Sequence, residues 1–224
     1  MSAPTLFPAS DFDDWAASYD RDVLTPAPFP FDGYDRVLRT VVRLAEPTAG
    51  MRVLDLGTGT GNLAGLFLDA GCRVWGSDFS PRMLQRARRK LPAATFVLHD
   101  LASAWPAALS LQYERIVSAY VFHHFDLHEK ISLVSTLIQQ RLASGGRLIV
   151  ADLSFPHAAA MQEFATSMGD EWEEEYYWLA DESVATIRQA GFRVRYEQVS
   201  SCAGVYCIEG GEESARPAPS SNGN

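Results

Sequence analysis

The run Val53-Leu54-Asp55-Leu56-Gly57-Thr58-Gly59-Thr60-Gly61-Asn62-Leu63-Ala64 constrains the fold of this chain more than any other stretch of its sequence. A short β-branched and apolar segment reads as a buried strand, and three alternate glycines carry it directly into a helical pattern. Glycine tolerates positive φ and has no Cβ, so such a turn lets backbone come close to a ligand. The helix that follows offers free N–H groups and a positive dipole end at the same place.

The rest of the chain repeats this alternation. Strands are predicted at Arg52 to Leu56, Arg73 to Ser77, Thr95 to Leu98, Arg115 to Ala119, Arg147 to Asp152, Phe192 to Val199 and Gly204 to Glu209. Helices are predicted near Thr60 to Ala70, Pro81 to Lys90, Leu127 to Leu142 and Asp181 to Ala190. Short apolar runs alternating with amphipathic segments indicate an α/β domain with a parallel sheet. Punctuation agrees: Ser80-Pro81 marks a helix start, while Gly71, Gly145-Gly146 and Gly191 are expected just past helix ends.

The flanks divide the chain into an N-terminal helical cap at 1–46, a core at 47–209 with a lid insertion at 156–180, and a tail at 210–224. In the cap, Ser10 to Asp20 and Gly33 to Leu44 read as helices separated by Pro26, Pro28 and Pro30. The insertion carries Glu171, Glu173-Glu174-Glu175 and Tyr176-Tyr177-Trp178, expected as a charged helix with aromatics packed beneath. The alternative is a lid whose aromatics enclose a small acceptor, cationic acceptors included. The tail is Gly, Ser, Pro and Glu without apolar periodicity, the composition of a disordered segment.

Charge narrows the partners. Twenty-eight acidic against 19 basic residues give −9, a field that repels phosphate backbones, so no nucleic acid partner is expected. Arg82, Arg86, Arg88, Arg89 and Lys90 recur at helical spacing and read as the solvated face of a surface helix. Cys72, Cys202 and Cys207 lack metal-ligand spacing and read as buried small hydrophobes, so no metal is expected. With no signal-peptide pattern and no membrane-length apolar run, the expectation is a soluble, cytoplasmic chain without a membrane partner, monomeric or homodimeric.

Three acids follow three strands. Asp55, before the first glycine, offers an acceptor for a cationic amino group. Asp78 closes the second strand 17 residues after Gly61, where a carboxylate can accept both hydroxyls of a ribose. Asp100 closes the third strand, in place to accept from an adenine amino group, and Phe79 and Leu101 would wall the purine. The glycines also fit a dinucleotide fingerprint, with Asp78 19 residues beyond Gly59, which makes NAD the competing ligand. An acid ahead of the first glycine, an acid on the third strand and the lack of a second half resembling a substrate domain weigh against NAD.

In this order the residues resemble the class I S-adenosylmethionine-dependent methyltransferases of small-molecule type, over about Asp11 to Glu209. The resemblance implies a Rossmann-like seven-stranded sheet in the order 3-2-1-4-5-7-6, its last strand antiparallel and helices on both faces. It implies S-adenosylmethionine as cofactor, S-adenosylhomocysteine as product and a small-molecule methyl acceptor, the alternatives being a protein or tRNA methyltransferase or a non-catalytic S-adenosylmethionine-binding subunit. Phe12 to Asp20 is similar to the opening helix of many members, which brings Tyr19, with Trp15 beside it, to the methionine end. The implied cofactor set is Tyr19, Asp55, Gly57, Thr58, Gly59, Gly61, Asn62, Asp78, Phe79, Met83, Asp100, Leu101 and Ser118.

The acceptor side is expected after the fourth strand, at Tyr120-Val121-Phe122-His123-His124-Phe125. The Asn/Asp-Pro-Pro-aromatic run of base-amine methylases is missing there, and so is the cysteine of the covalent route to 5-methylpyrimidines. Transfer from a sulfonium needs alignment and exclusion of water before it needs acid or base. If the acceptor must lose a proton, His123 and His124 are the candidate bases. His99 is expected to be packed, and His128 and His157 to lie on the surface. Asp152 faces the same crevice, as a substrate ligand or a loop cap.

Overall fold

The computed structural model describes residues 9–25 and 29–211. Pro26, Pro28 and all but the first two residues of the 210–224 tail lie outside them. Strands β1 (Arg52–Leu56), β2 (Arg73–Asp78), β3 (Thr95–Leu98), β4 (Tyr113–Ala119) and β5 (Leu142–Phe155) run parallel. The short β6 (Trp178–Leu179) pairs with the end of β5, while β7 (Arg193–Gln198) and β8 (Ala203–Glu209) complete the far edge. The order is β3-β2-β1-β4-β5-β8-β7, with β8 antiparallel to both its neighbours. Without the two-residue β6, this is the seven-stranded order expected.

Alternation of side chains sets the two faces. On β5, Ile149 and Ala151 join Val53, Val117, Val205 and Cys207 in one core, and Leu148 and Val150 join Leu54, Ile116, Tyr206 and Ile208 in the other. Helices α3 (Tyr34–Ala45) and α4 (Asn62–Asp69) cover the first through Val37, Val41, Leu63 and Phe67. Helices α6 (Leu127–Gln140) and α8 (Ala180–Gln189) cover the second through Val134, Leu137 and Ile187. Helix α5 (Pro81–Lys90) lays Leu84 and Ala87 on Phe96, its basic residues outward. Cys72, Cys202 and Cys207 are buried thiols that form no disulfide.

Three expectations need correction. The predicted helix at Ser10 to Asp20 is two helices, α1 (Ala9–Trp15) and α2 (Tyr19–Asp22), because tertiary bonds outcompete its continuation. Asp13 accepts from Ser80 Oγ at 2.6 Å and from the Arg82 N–H at 3.0 Å at the start of α5, whereas Asp20 accepts from Thr60 Oγ1 and Asn62 at the start of α4. Gly145-Gly146 lies inside β5, where the register with β4 shifts between Tyr113 and Arg115; Gly145, at φ +72°, absorbs the irregularity.

The third concerns the insertion. It begins as helix α7 (Ala158–Met168) and one 3₁₀ turn, but 172–177 form neither helix nor strand. Trp172 and Tyr177 pack with Phe29, Phe155 and Phe164, and Trp178 is fully buried beneath β5. Aromatic anchoring fixes this segment against its local helix preference. No described helix is long and apolar enough to cross a membrane.

Candidate active site

The sheet order reverses between β1 and β4, so the loops that leave them diverge and open a crevice at the C-terminal ends of the strands. The glycine loop forms one wall. Gly57, Gly59 and Gly61 have φ of +63°, +53° and +87°, as the sequence requires. A Cβ on Gly57 would strike Val121 at 2.2 Å, whereas one on Gly59 would meet nothing nearer than Tyr19 Cε1 at 4.0 Å. The second glycine thus keeps its backbone bare toward the crevice.

A cavity of about 130 Å³ lies against this loop. Eight of the thirteen expected cofactor residues line it, Tyr19, Gly57, Gly59, Asp78, Phe79, Met83, Asp100 and Leu101, and so does His124. Asp78 accepts from the Gly59 N–H and the Ser80 N–H, each at 2.8 Å, and burial pushes its pKa up to about 6. Asp100 is exposed and accepts from the Ala102 N–H at 2.9 Å. His99 is packed against Trp105, as expected, and also borders the cavity.

Five expected residues are not brought to it. Asp55 is turned under the loop, where it accepts from Thr58 Oγ1 at 2.7 Å and from the Ala64 N–H; burial first, then the charge of Asp78, push its pKa up to about 7. Thr58 is that bond's donor. Gly61 serves as the cap of α4, and the Asn62 side chain is taken by Asp20, Tyr34 and Lys90. Ser118 is fully buried and donates to the Leu56 carbonyl at 2.9 Å, stitching β4 to β1. These residues shape the loop from behind.

Phe12 and Tyr120 were not singled out by the sequence reading, and both line this cavity and a second one of about 500 Å³. Phe12 places its ring edge on Phe79 at 5.1 Å and on His124 at 5.8 Å. Tyr120 leaves β4 at φ +58°, a left-handed conformation that costs energy for a bulky residue, with its ring stacked on Tyr34. Nothing in the sequence marks that dihedral.

The larger cavity holds the expected acceptor side. Its walls include Trp15, Tyr19, Phe29 and Phe31, and Glu171, Glu173 and Glu175 face it from the insertion. His123 and His124 border it on a 3₁₀ turn after β4. Asp152 does not reach it: fully buried, it accepts from the His123 N–H at 2.8 Å, His123 Nδ1 at 2.5 Å, the Leu153 N–H and Trp178 Nε1. It holds the loop after β4 through His123, and β5 runs on past it to Phe155.

The two histidines differ electrostatically. Burial opposes a charge on His123, but Asp152, with Glu175 behind it, outweighs burial and raises its pKa. His124 is driven down to about 3, first by burial and then by His123. At pH 7 His124 is a neutral wall and too weak a base for the role expected of it. The expectation that no metal would be bound also meets an observation: donor atoms of His123, His124 and Glu175 lie within 4.8 Å of one another.

A family model described as a methyltransferase domain matches residues 32–195. An uncharacterized methyltransferase of Bacillus subtilis, YrrT, is 34% identical, the match covering 84% of this chain and 90% of that one. Among solved structures, a DhpI-SAM-HEP complex aligns with a TM-score of 0.70 at 17% identity, covering 93% of this chain and all of the other. The magnesium protoporphyrin IX methyltransferase of Synechocystis with bound SAH aligns with a TM-score of 0.64 at 20% identity, covering 90% and 99%.

Proposed function

The chain belongs to the class I S-adenosylmethionine-dependent methyltransferases, and from that premise we propose that it moves the methyl group of S-adenosylmethionine in line onto a small-molecule acceptor. The observation that carries this reading is the shared wall of the two cavities: Phe12, Tyr19, Tyr120 and His124 line both. A donor against the glycine loop and an acceptor in the aromatic chamber would meet across those four side chains.

In this reading Asp78 takes the ribose hydroxyls, Asp100 the adenine amino group, and Phe79, Met83 and Leu101 the purine faces. The bare backbone at Gly59 leaves room for the methionine end. The sulfonium is its own good leaving group, so the chain contributes alignment and dryness. Tyr19, Phe12 and Tyr120 would exclude water from the transfer. Phe12, Trp15 and Phe29 of the cap at 1–46 and Met168, Glu171 and Glu173 of the insertion at 156–180, itself part of the core at 47–209, close the acceptor chamber.

Size and charge favour a small acceptor over a protein or tRNA. The chamber is within the range of small-molecule sites, and its mouth carries Asp11, Glu171 and Glu173 with no arginine or lysine among its lining residues. A phosphate backbone would be repelled there. Calorimetry with S-adenosylmethionine, S-adenosylhomocysteine and NAD tests the donor; binding of NAD alone would overturn it. A screen of metabolite pools for methyl acceptance tests the acceptor class, and transfer only to a protein or tRNA would overturn that half.

A further inference from the structure

A buried carboxylate oxygen without a hydrogen bond stands beside the two histidines of the acceptor chamber. Glu175 Oε2 has no hydrogen-bond partner and lies 3.6 Å from His123 Nε2. The side chains are 12% and 9% exposed. Lys130, whose charge also acts on Glu175, does not satisfy that oxygen: its Nζ donates to the Tyr176 carbonyl and sits over the Trp178 ring, 4.7 Å from the centroid.

The surroundings of His123 fix how it can act. Asp152 holds Nδ1 at 2.5 Å and the same residue's N–H at 2.8 Å, and is itself held by Leu153 N–H and Trp178 Nε1. This carboxylate-to-imidazole arrangement fixes a ring and directs its other nitrogen, as behind metal-bound histidines. Nε2 is thereby aimed at Glu175, and the His124 ring lies 4.1 Å away, centroid to centroid.

We propose that His123 Nε2, His124 and Glu175 form a site for one divalent transition-metal ion at the floor of the acceptor chamber. Two imidazoles and one carboxylate suit zinc or another first-row ion such as cobalt(II), which accept nitrogen and oxygen donors at about 2.0–2.2 Å. The donor atoms, within 4.8 Å of one another, are close enough to converge with small side-chain movements. Three protein ligands leave further positions open toward the chamber, the pattern of catalytic sites over structural ones. Glu171, Glu173 and Asp11 at the mouth add a potential that concentrates cations. An acceptor carrying an oxygen, nitrogen or sulfur donor could then be held at an open position. The site goes beyond the donor reading, and metal binding alone tests it.

The test uses the full chain, stripped with a chelator and titrated with cobalt(II) near pH 7.5. Visible d–d absorption and calorimetry are read together. The expected result is one cobalt per chain, displaced by zinc. Glu175→Gln and His124→Ala should each weaken binding by roughly a hundredfold or more, and Asp152→Asn by about 10–100-fold. Calorimetry with S-adenosylhomocysteine, run on each variant in chelator, shows whether the fold is kept; the Glu175→Gln substitution is nearly isosteric and is the decisive one. No cobalt binding to the wild-type chain would overturn the proposal and leave Glu175 and His123 an ion pair. Cobalt binding that survives Glu175→Gln in a chain that still binds the nucleoside would overturn it equally.

Discussion

Asp78 is pulled in two directions at the residue scale. Burial favours its neutral form, whereas the N–H groups of Ser80, Gly59 and Phe79 favour the carboxylate; burial wins and raises the pKa to about 6. The native chain therefore binds more protons than the unfolded one between about pH 4 and 6, so this group's contribution to stability falls as pH rises through that window and stays low above it. A ribose donating both hydroxyls would need the ionised form. Affinity for S-adenosylhomocysteine is thus expected to weaken about tenfold per pH unit below about 6, and Asp78→Asn should flatten that slope; calorimetry from pH 4.5 to 8 checks both. Loss of two hydrogen bonds to a charged group at about 1.5–3 kcal/mol each makes Asp78→Ala at least a hundredfold weaker binder. Glu175→Gln, in the acceptor chamber and outside the donor cavity, should bind the nucleoside within a few fold of wild type. Equal losses would mean the donor and acceptor sides are misassigned.

Among the elements, the strands were legible because short apolar runs, read against glycine and proline punctuation, depend on local sequence. What depends on distant partners was not. The break between α1 and α2 exists because Asp13 and Asp20 reach the starts of two different helices, 67 and 40 residues on. The irregular segment at 172–177 looks helical in its glutamates and is decided by aromatic burial. His123, Asp152 and Glu175 come from three separate elements, so their meeting could be seen only once the fold was in hand. The α1–α2 latch has a kinetic consequence. Phe12 and Tyr19 lie over the smaller cavity while Asp13 and Asp20 hold their helices down. Releasing both latches in an Asp13→Asn, Asp20→Asn variant should let the segment open more often. Stopped-flow measurements with a fluorescent nucleoside analogue are expected to show dissociation faster by about tenfold. An unchanged rate would mean that the segment does not gate the site.

At the scale of the whole molecule, the donor site is not a local feature. It draws its walls from α1, the first residue of α2, and the C-terminal ends of β1, β2, β3 and β4. A ligand there bonds to elements that must all be in place at once, and it has no counterpart in the unfolded chain. Binding to the native state alone stabilises by RT ln(1 + [L]/Kd), about 2.7 kcal/mol at a hundredfold excess over Kd. For a domain of this length each kcal/mol corresponds to about 2–4 °C. S-adenosylhomocysteine at that concentration should therefore raise Tm by roughly 5–11 °C in scanning calorimetry. NAD shares the glycine-loop geometry but lacks the methionine end, and is expected to move Tm by less than about 1 °C at the same concentration. The shift should shrink strongly in Asp78→Ala and persist in Glu175→Gln, because the first residue belongs to the donor cavity and the second to the acceptor chamber. An NAD shift as large as that of the sulfur nucleoside would return the glycine loop to the dinucleotide class that its spacing alone also fits.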